Sequence, residues 1–120
     1  MDGGRAVEWE GDSRERLRGF PEEVRWLFGR ALYRAQLGKR HPIGSPMKGR
    51  LRGVVELRVR ERGDAYRLYY TLKCPGWVYV LYCHKKKSKR GIGVPVHEVN
   101  LIVDRYRDAM DHCRGKREQR

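Results

Sequence analysis

Between Val54 and Cys83 the apolar residues fall into three short runs whose spacing predicts three strands. In the first, Val55, Leu57 and Val59 alternate with Glu56 and Arg58, a period of two that sets one face toward a core and the other away from it. In the second, Tyr66, Leu68, Tyr70 and Leu72 share one face while Arg67, Tyr69 and Thr71 share the other. Arg58 and Arg67 are thereby expected side by side, both directed away from the apolar side. The third run, Trp77 to Cys83, is apolar almost throughout, as befits a central strand covered on both faces, and it delivers His84, Lys85, Lys86 and Lys87 at its end. Gly63 with Asp64, and Pro75 with Gly76, supply the turn chemistry that links the three as antiparallel hairpins.

Upstream, Ala6 to Trp9 reads as a short strand, and Asp12 or Ser13 can cap a short helix through Leu17. Val24, Leu27, Phe28, Ala31, Leu32 and Ala35 form one stripe of a longer helix, opened at Pro21 with acids in its first turn and stopped at Gly38. From Lys39 to Arg52 the chain is rich in glycine, proline and cations, which predicts an irregular basic loop, and Ser88 to Gly93 predicts a second. Pro95 opens a last helix with its stripe at Val99, Ile102, Val103, Tyr106, Ala109 and Met110, and from Arg114 a basic polar tail is expected. The reading is α+β: a small antiparallel sheet with two N-terminal helices and a C-terminal helix, the helices on one face and the arginines on the other. Residues 1–113 make a single domain and 114–120 the tail.

Charge changes the picture from fold to partner. With 120 residues the chain supports one modest core, yet 28 Lys and Arg against 15 Asp and Glu leave a net charge of +13. So large an excess, spread over every segment, points to a polyanion, nucleic acid before membrane. No apolar run reaches the roughly 20 residues of a membrane span, and Met1 to Gly4 lacks the regions of a signal peptide, so a cytoplasmic protein with no membrane partner is expected. Cys74, Cys83 and Cys113 are odd in number and show no metal-ligand spacing, so they are expected to be reduced, with neither a disulfide framework nor a metal site. Trp9, Trp26 and Trp77 are expected as core or partner-interface aromatics.

Several of these stretches recur together in one family. Phe20 to Val24, Pro46 to Gly49, Glu56 to Arg58, Tyr66 to Tyr70, Lys85 to Ile92, and Pro95 followed by a helix ending in Arg105 stand in the order and at the separations of the phage-derived branch of the RelE/HigB superfamily, toxins of type II toxin–antitoxin pairs, which the sequence resembles. The resemblance implies a RelE-like fold and an mRNA interferase acting on mRNA at the ribosome, neutralised by a co-encoded helix-turn-helix antitoxin. It further implies metal-independent attack of a ribose 2′-OH on the adjacent phosphate, with no cofactor.

Guanidinium and ammonium groups suit that chemistry because the phosphorane gains negative charge as it forms. Arg67 matches the superfamily's sheet arginine, with Arg58 beside it to clamp the same phosphate. Lys85 and Lys86 would add charge or protonate the leaving 5′-oxygen, and His84 is a candidate general acid or base because its ordinary pKa is near neutrality. Lys48, Arg50, Lys87, Lys89 and Arg90 are expected to track the RNA backbone, and Tyr69 either to stack a base or to pack. Two other classes remain open on sequence: a non-catalytic gyrase poison of the ParE kind, and a nucleic-acid-binding module without cleavage.

Overall fold

The computed structural model describes residues 4–87 and 94–118, and of Lys87, Arg117 and Glu118 the backbone alone. The chain runs β1 (Ala6–Trp9), α1 (Ser13–Arg18), α2 (Glu22–Gln36), β2 (Gly44–Pro46), a 3-10 turn (Gly49–Leu51), β3 (Val54–Glu61), β4 (Asp64–Thr71), β5 (Trp77–Lys87) and α3 (Val96–Glu118). The sheet has five strands in the order β1-β5-β4-β3-β2, antiparallel except for β1 against β5. The α+β reading therefore holds, and so do β1, both early helices and the three hairpin-linked strands.

Four expectations change. The basic connector contains a strand: Gly44 to Pro46 pairs with Leu57 to Val55, although Gly-Ser-Pro carries no strand pattern of its own. The expected polar tail is helical as far as Glu118, and Lys116 lies 3.3 Å from Glu8 and 3.4 Å from the Trp77 ring centroid, so the last turns of α3 are tied back to the sheet. The helices do not share a face. The α2 stripe of Val24, Phe28, Ala31, Leu32 and Ala35 packs on Leu57, Val59, Tyr66, Leu68 and Tyr70, whereas Ile102, Ala109 and their neighbours on α3 close over Val54, Tyr69, Tyr79, Leu81 and Tyr82 on the reverse. Finally, Cys74 and Cys113 form a disulfide, joining the turn after β4 to the last part of α3, so two of the three cysteines are oxidised. Cys83 is the free one, buried among apolar groups that push its thiol pKa up to about 12.

Two backbone details position the side chains of the sheet. Arg62 and Gly63, at φ 51° and 84°, make the tight turn that keeps β3 and β4 in unbroken register from Val54 opposite Thr71 to Glu61 opposite Asp64. In β5 a bulge sets Tyr69 opposite Tyr82 but Tyr70 opposite Val80, so Leu81 is the extra residue. Beyond that bulge Tyr82, His84 and Lys86 face the α3 side, while Cys83 and Lys85 face α2.

Candidate functional site

Register brings two rows of side chains together on the α3 side of the sheet. Arg58, Arg67 and His84 lie opposite one another on β3, β4 and β5; Glu56, Tyr69 and Tyr82 form the adjacent row. The expected neighbourhood of Arg58 and Arg67 is thus present, but not the expected exposure. Arg67 is 4% exposed, Tyr69 0% and His84 4%; α3 packs over Tyr69 through Ile102 and Ala109 and reaches His84 through Glu98. Arg58 remains half-exposed. A Tyr69 ring closed off from solvent has no face to offer a base, so its role is packing and hydrogen bonding.

One carboxylate organises the row. Glu56 Oε1 is 3.5 Å from Arg58 Nη2, and Oε2 is 3.7 Å from Arg67 Nη1 and accepts a 3.2 Å hydrogen bond from the Tyr69 hydroxyl. The Nε and Nη1 atoms of Arg67 have no hydrogen-bond partner among the described residues, and the Glu56 carboxylate is the charge that faces it. Burial, and then the Glu56 charge, raise the Tyr69 hydroxyl pKa well above its ordinary value, so it stays a phenol.

A second carboxylate reaches in from α3. Glu98 Oε2 lies 3.3 Å from His84 Nδ1 and accepts a 3.3 Å hydrogen bond from Tyr82, while His84 Nε2 sits 3.3 Å from the Tyr69 hydroxyl. Both imidazole nitrogens are occupied by protein groups. His84, expected as a general acid or base, thus bridges Glu98 to Tyr69. Burial lowers its pKa; Glu98 pulls the other way, Arg67 and Arg16 reinforce the lowering, and the net direction is down.

A lowered imidazole pKa links folding to pH. The unfolded imidazole binds a proton more readily than the folded one, so this contribution to stability is fully present above about pH 6.5 and is lost as pH falls through the lowered folded value. Urea unfolding at pH 5 and pH 7.5 should show wild type gaining more stability than His84→Gln over that interval. Equal gains would mean that His84 does not carry the effect.

Lys86 shares the arginine face. Lys85 does not: it stands 3.9 Å from Asp64 on the α2 side and lines a cleft of about 350 Å³ with Glu15, Arg16, Phe20, Tyr66 and His84. The two lysines, expected to act together, therefore stand on opposite faces of the sheet. Lys48 and Arg50 are exposed on the 3-10 turn that leads into the Val54 end of β3, four residues along the strand from Arg58. Lys89, Arg90 and the loop from Ser88 to Gly93 lie outside the described residues, as does the Lys87 side chain. Among the described residues no group of three or more His, Cys, Asp or Glu side chains is arranged to hold a metal ion, and no helix is long and apolar enough to cross a membrane.

Two acids in the site were not singled out from sequence. Glu56 shares a strand face with two arginines, which was its signal. Glu98 had none beyond its place in the first turn of a helix. Arg16 and Arg105, from α1 and α3, stack on Tyr82 at 5.1 and 5.4 Å and share Asp12 between them, clamping the edge of the site.

The family described as "Phage derived protein Gp49-like (DUF891)" matches residues 15–107, which takes in both rows, α2 and the first half of α3. The chain belongs to this family. No curated protein matches the Gp49-like chain. Among solved structures it is similar to the toxin–antitoxin complex RelBE2 from Mycobacterium tuberculosis, at 20% identity and a TM-score of 0.48, covering 69% of this chain and 99% of that one.

Proposed function

We propose that this Gp49-like protein is the toxin of a type II toxin–antitoxin pair of the RelE/HigB kind, a cytoplasmic mRNA interferase that cuts ribosome-bound mRNA and is held in check by a helix-turn-helix antitoxin. The observation that carries the reading is Arg58 opposite Arg67. Like charges directly opposed in a strand ladder destabilise it, so a pair kept there beside a single carboxylate is better explained by a task than by folding. The motif resemblance and membership of a phage-derived family agree with it.

In this mechanism the ribose 2′-oxygen bonds to phosphorus as the P–O5′ bond breaks. One proton leaves the 2′-hydroxyl and one reaches the 5′-oxygen, giving a 2′,3′-cyclic phosphate. The half-exposed Arg58 guanidinium meets the phosphate and stabilises its growing charge, with Lys86 on the same face. Arg67, behind it, raises the local positive potential without touching RNA, and the Glu56–Tyr69–His84–Glu98 chain fixes the row. Arg58→Ala should slow single-turnover cleavage of ribosome-bound mRNA by about 10²–10³-fold, and weaken RNA binding far less, since one phosphate contact is lost among many. Wild-type cleavage by that variant would remove Arg58 from the chemistry.

One observation favours a second reading. The burial of Arg67, Tyr69 and His84 suits a non-catalytic toxin of the gyrase-poison kind, in which the row is structural. Folded wild-type protein that inhibits DNA gyrase and leaves mRNA intact would establish it in place of the first.

A further inference from the structure

On the side of α2 turned away from the sheet, Trp26, Tyr33 and Leu37 are 63%, 58% and 47% exposed. Their spacing of seven and then four residues puts them on one stripe, opposite the stripe of Val24, Phe28, Ala31 and Ala35 that the core absorbs. Arg30 falls on the same stripe, with its guanidinium 5.5 Å from the centre of the Trp26 ring. Two depressions flank it: one of about 310 Å³ between Arg30, Tyr33, Arg34, Leu37 and Lys39, and one of about 440 Å³ between Glu22, Glu23, Trp26 and Leu27.

Single exposed apolar residues need no explanation, but an aligned Trp, Tyr and Leu with an arginine among them is the composition of a protein-binding surface. Its charge has a direction. Arg30, Arg34 and Lys39 form no ion pair with any described residue, and they crowd the C-terminal half of the stripe. Glu22 and Glu23 sit at the other end, beside Trp26.

We propose that this face of α2 docks an amphipathic helix of a partner protein, apolar along its contact stripe and acidic where it lies over Arg30, Arg34 and Lys39. A second copy of the chain is disfavoured because each would bring a net charge of +13. RNA is disfavoured because Glu22 and Glu23 would repel phosphate at the Trp26 end. The face lies across the sheet from Arg58 and Arg67, so a partner held here leaves the basic row uncovered. The inference does not depend on what that row does.

The probe is a synthetic 16-residue helical peptide with leucines at positions i, i+4, i+7 and i+11 and glutamates beside its C-terminal leucines. Its control carries lysines in place of those glutamates. Fluorescence anisotropy against the full chain should give binding of the acidic peptide that weakens about tenfold in Arg34→Glu/Lys39→Glu and in Trp26→Ser/Tyr33→Ser. All four positions point to solvent, so the fold should survive, and circular dichroism checks that it does. Because a strongly cationic chain attracts any acidic peptide, location is read separately, as amide hydrogen-exchange protection confined to α2 and the segment to Lys39. Equal affinity for both peptides, protection elsewhere, or affinity unmoved by the substitutions would overturn the proposal. So would an RNA oligonucleotide protecting α2 in the peptide's place, or a dimer in sedimentation that Trp26→Ser/Tyr33→Ser abolishes, which would assign the face to a second copy.

Discussion

Replacing Glu56 with alanine should destabilise the protein by about 3–5 kcal/mol, more than an ordinary loss of two ion pairs. Its pair with Arg58 is half in solvent and contributes little. Arg67 sets the size of the effect: at 4% exposure, with two guanidinium nitrogens lacking hydrogen-bond partners, it would be left as an uncompensated buried charge. The Tyr69 hydroxyl would lose its acceptor on Glu56 as well. The cause can be isolated by a double-mutant cycle in urea. Arg67→Met removes the stranded charge, so Glu56→Gln/Arg67→Met should cost less than the two single changes summed, by about 1–3 kcal/mol. Additive costs would show that Glu56 and Arg67 are energetically independent, and the account of the buried row would fail.

The same burial changes how Arg67 must be tested. Sequence alternation correctly set Arg58 and Arg67 on one face, and from that face alone Arg67→Ala reads as a clean probe of chemistry with the fold intact. With Arg67 packed against Glu56, lost cleavage and lost stability would arrive together, so Arg58, half-exposed, is the cleaner position.

How far the site was legible turns on α3. The strand faces, the α2 stripe and the α3 stripe are all periodic and were readable. Which face α3 would cover was not in its own pattern, since a stripe states that it must be buried and not against what. A signal did exist in β5: a strand apolar on both faces requires a layer on each side, and α1 and α2 can fill only one of them. The burial of Tyr69 and His84 follows from that. The bulge at Leu81 had no such signal, and it alone decides that Lys86 and not Lys85 joins the arginines. Nor did β2, whose Gly44, Ser45 and Pro46 are strand only because β3 offers an edge.

Loss of the Cys74–Cys113 bond should lower stability by about 4 kcal/mol, the loop-closure value for a separation of 39 residues. Spacing could not reveal this bond, because the residues meet only after β5 has crossed the sheet and α3 has returned over it. The closed loop contains both elements, so its removal frees most of the layer that buries Tyr69 and Tyr82. Cys74→Ser/Cys113→Ser should therefore unfold at lower urea than wild type, with amide protection falling first in the C-terminal half of α3, and a reducing agent should reproduce the shift in wild type but not in the double variant. Cys83 supplies the internal check. Burial that holds its thiol pKa near 12 keeps it protonated and inert to thiol reagents in the native state. Titration in denaturant should then count one thiol per chain before reduction and three after it. Three thiols at the outset would mean that no bond exists, that α3 is held by packing alone, and that the expected loss of stability does not occur.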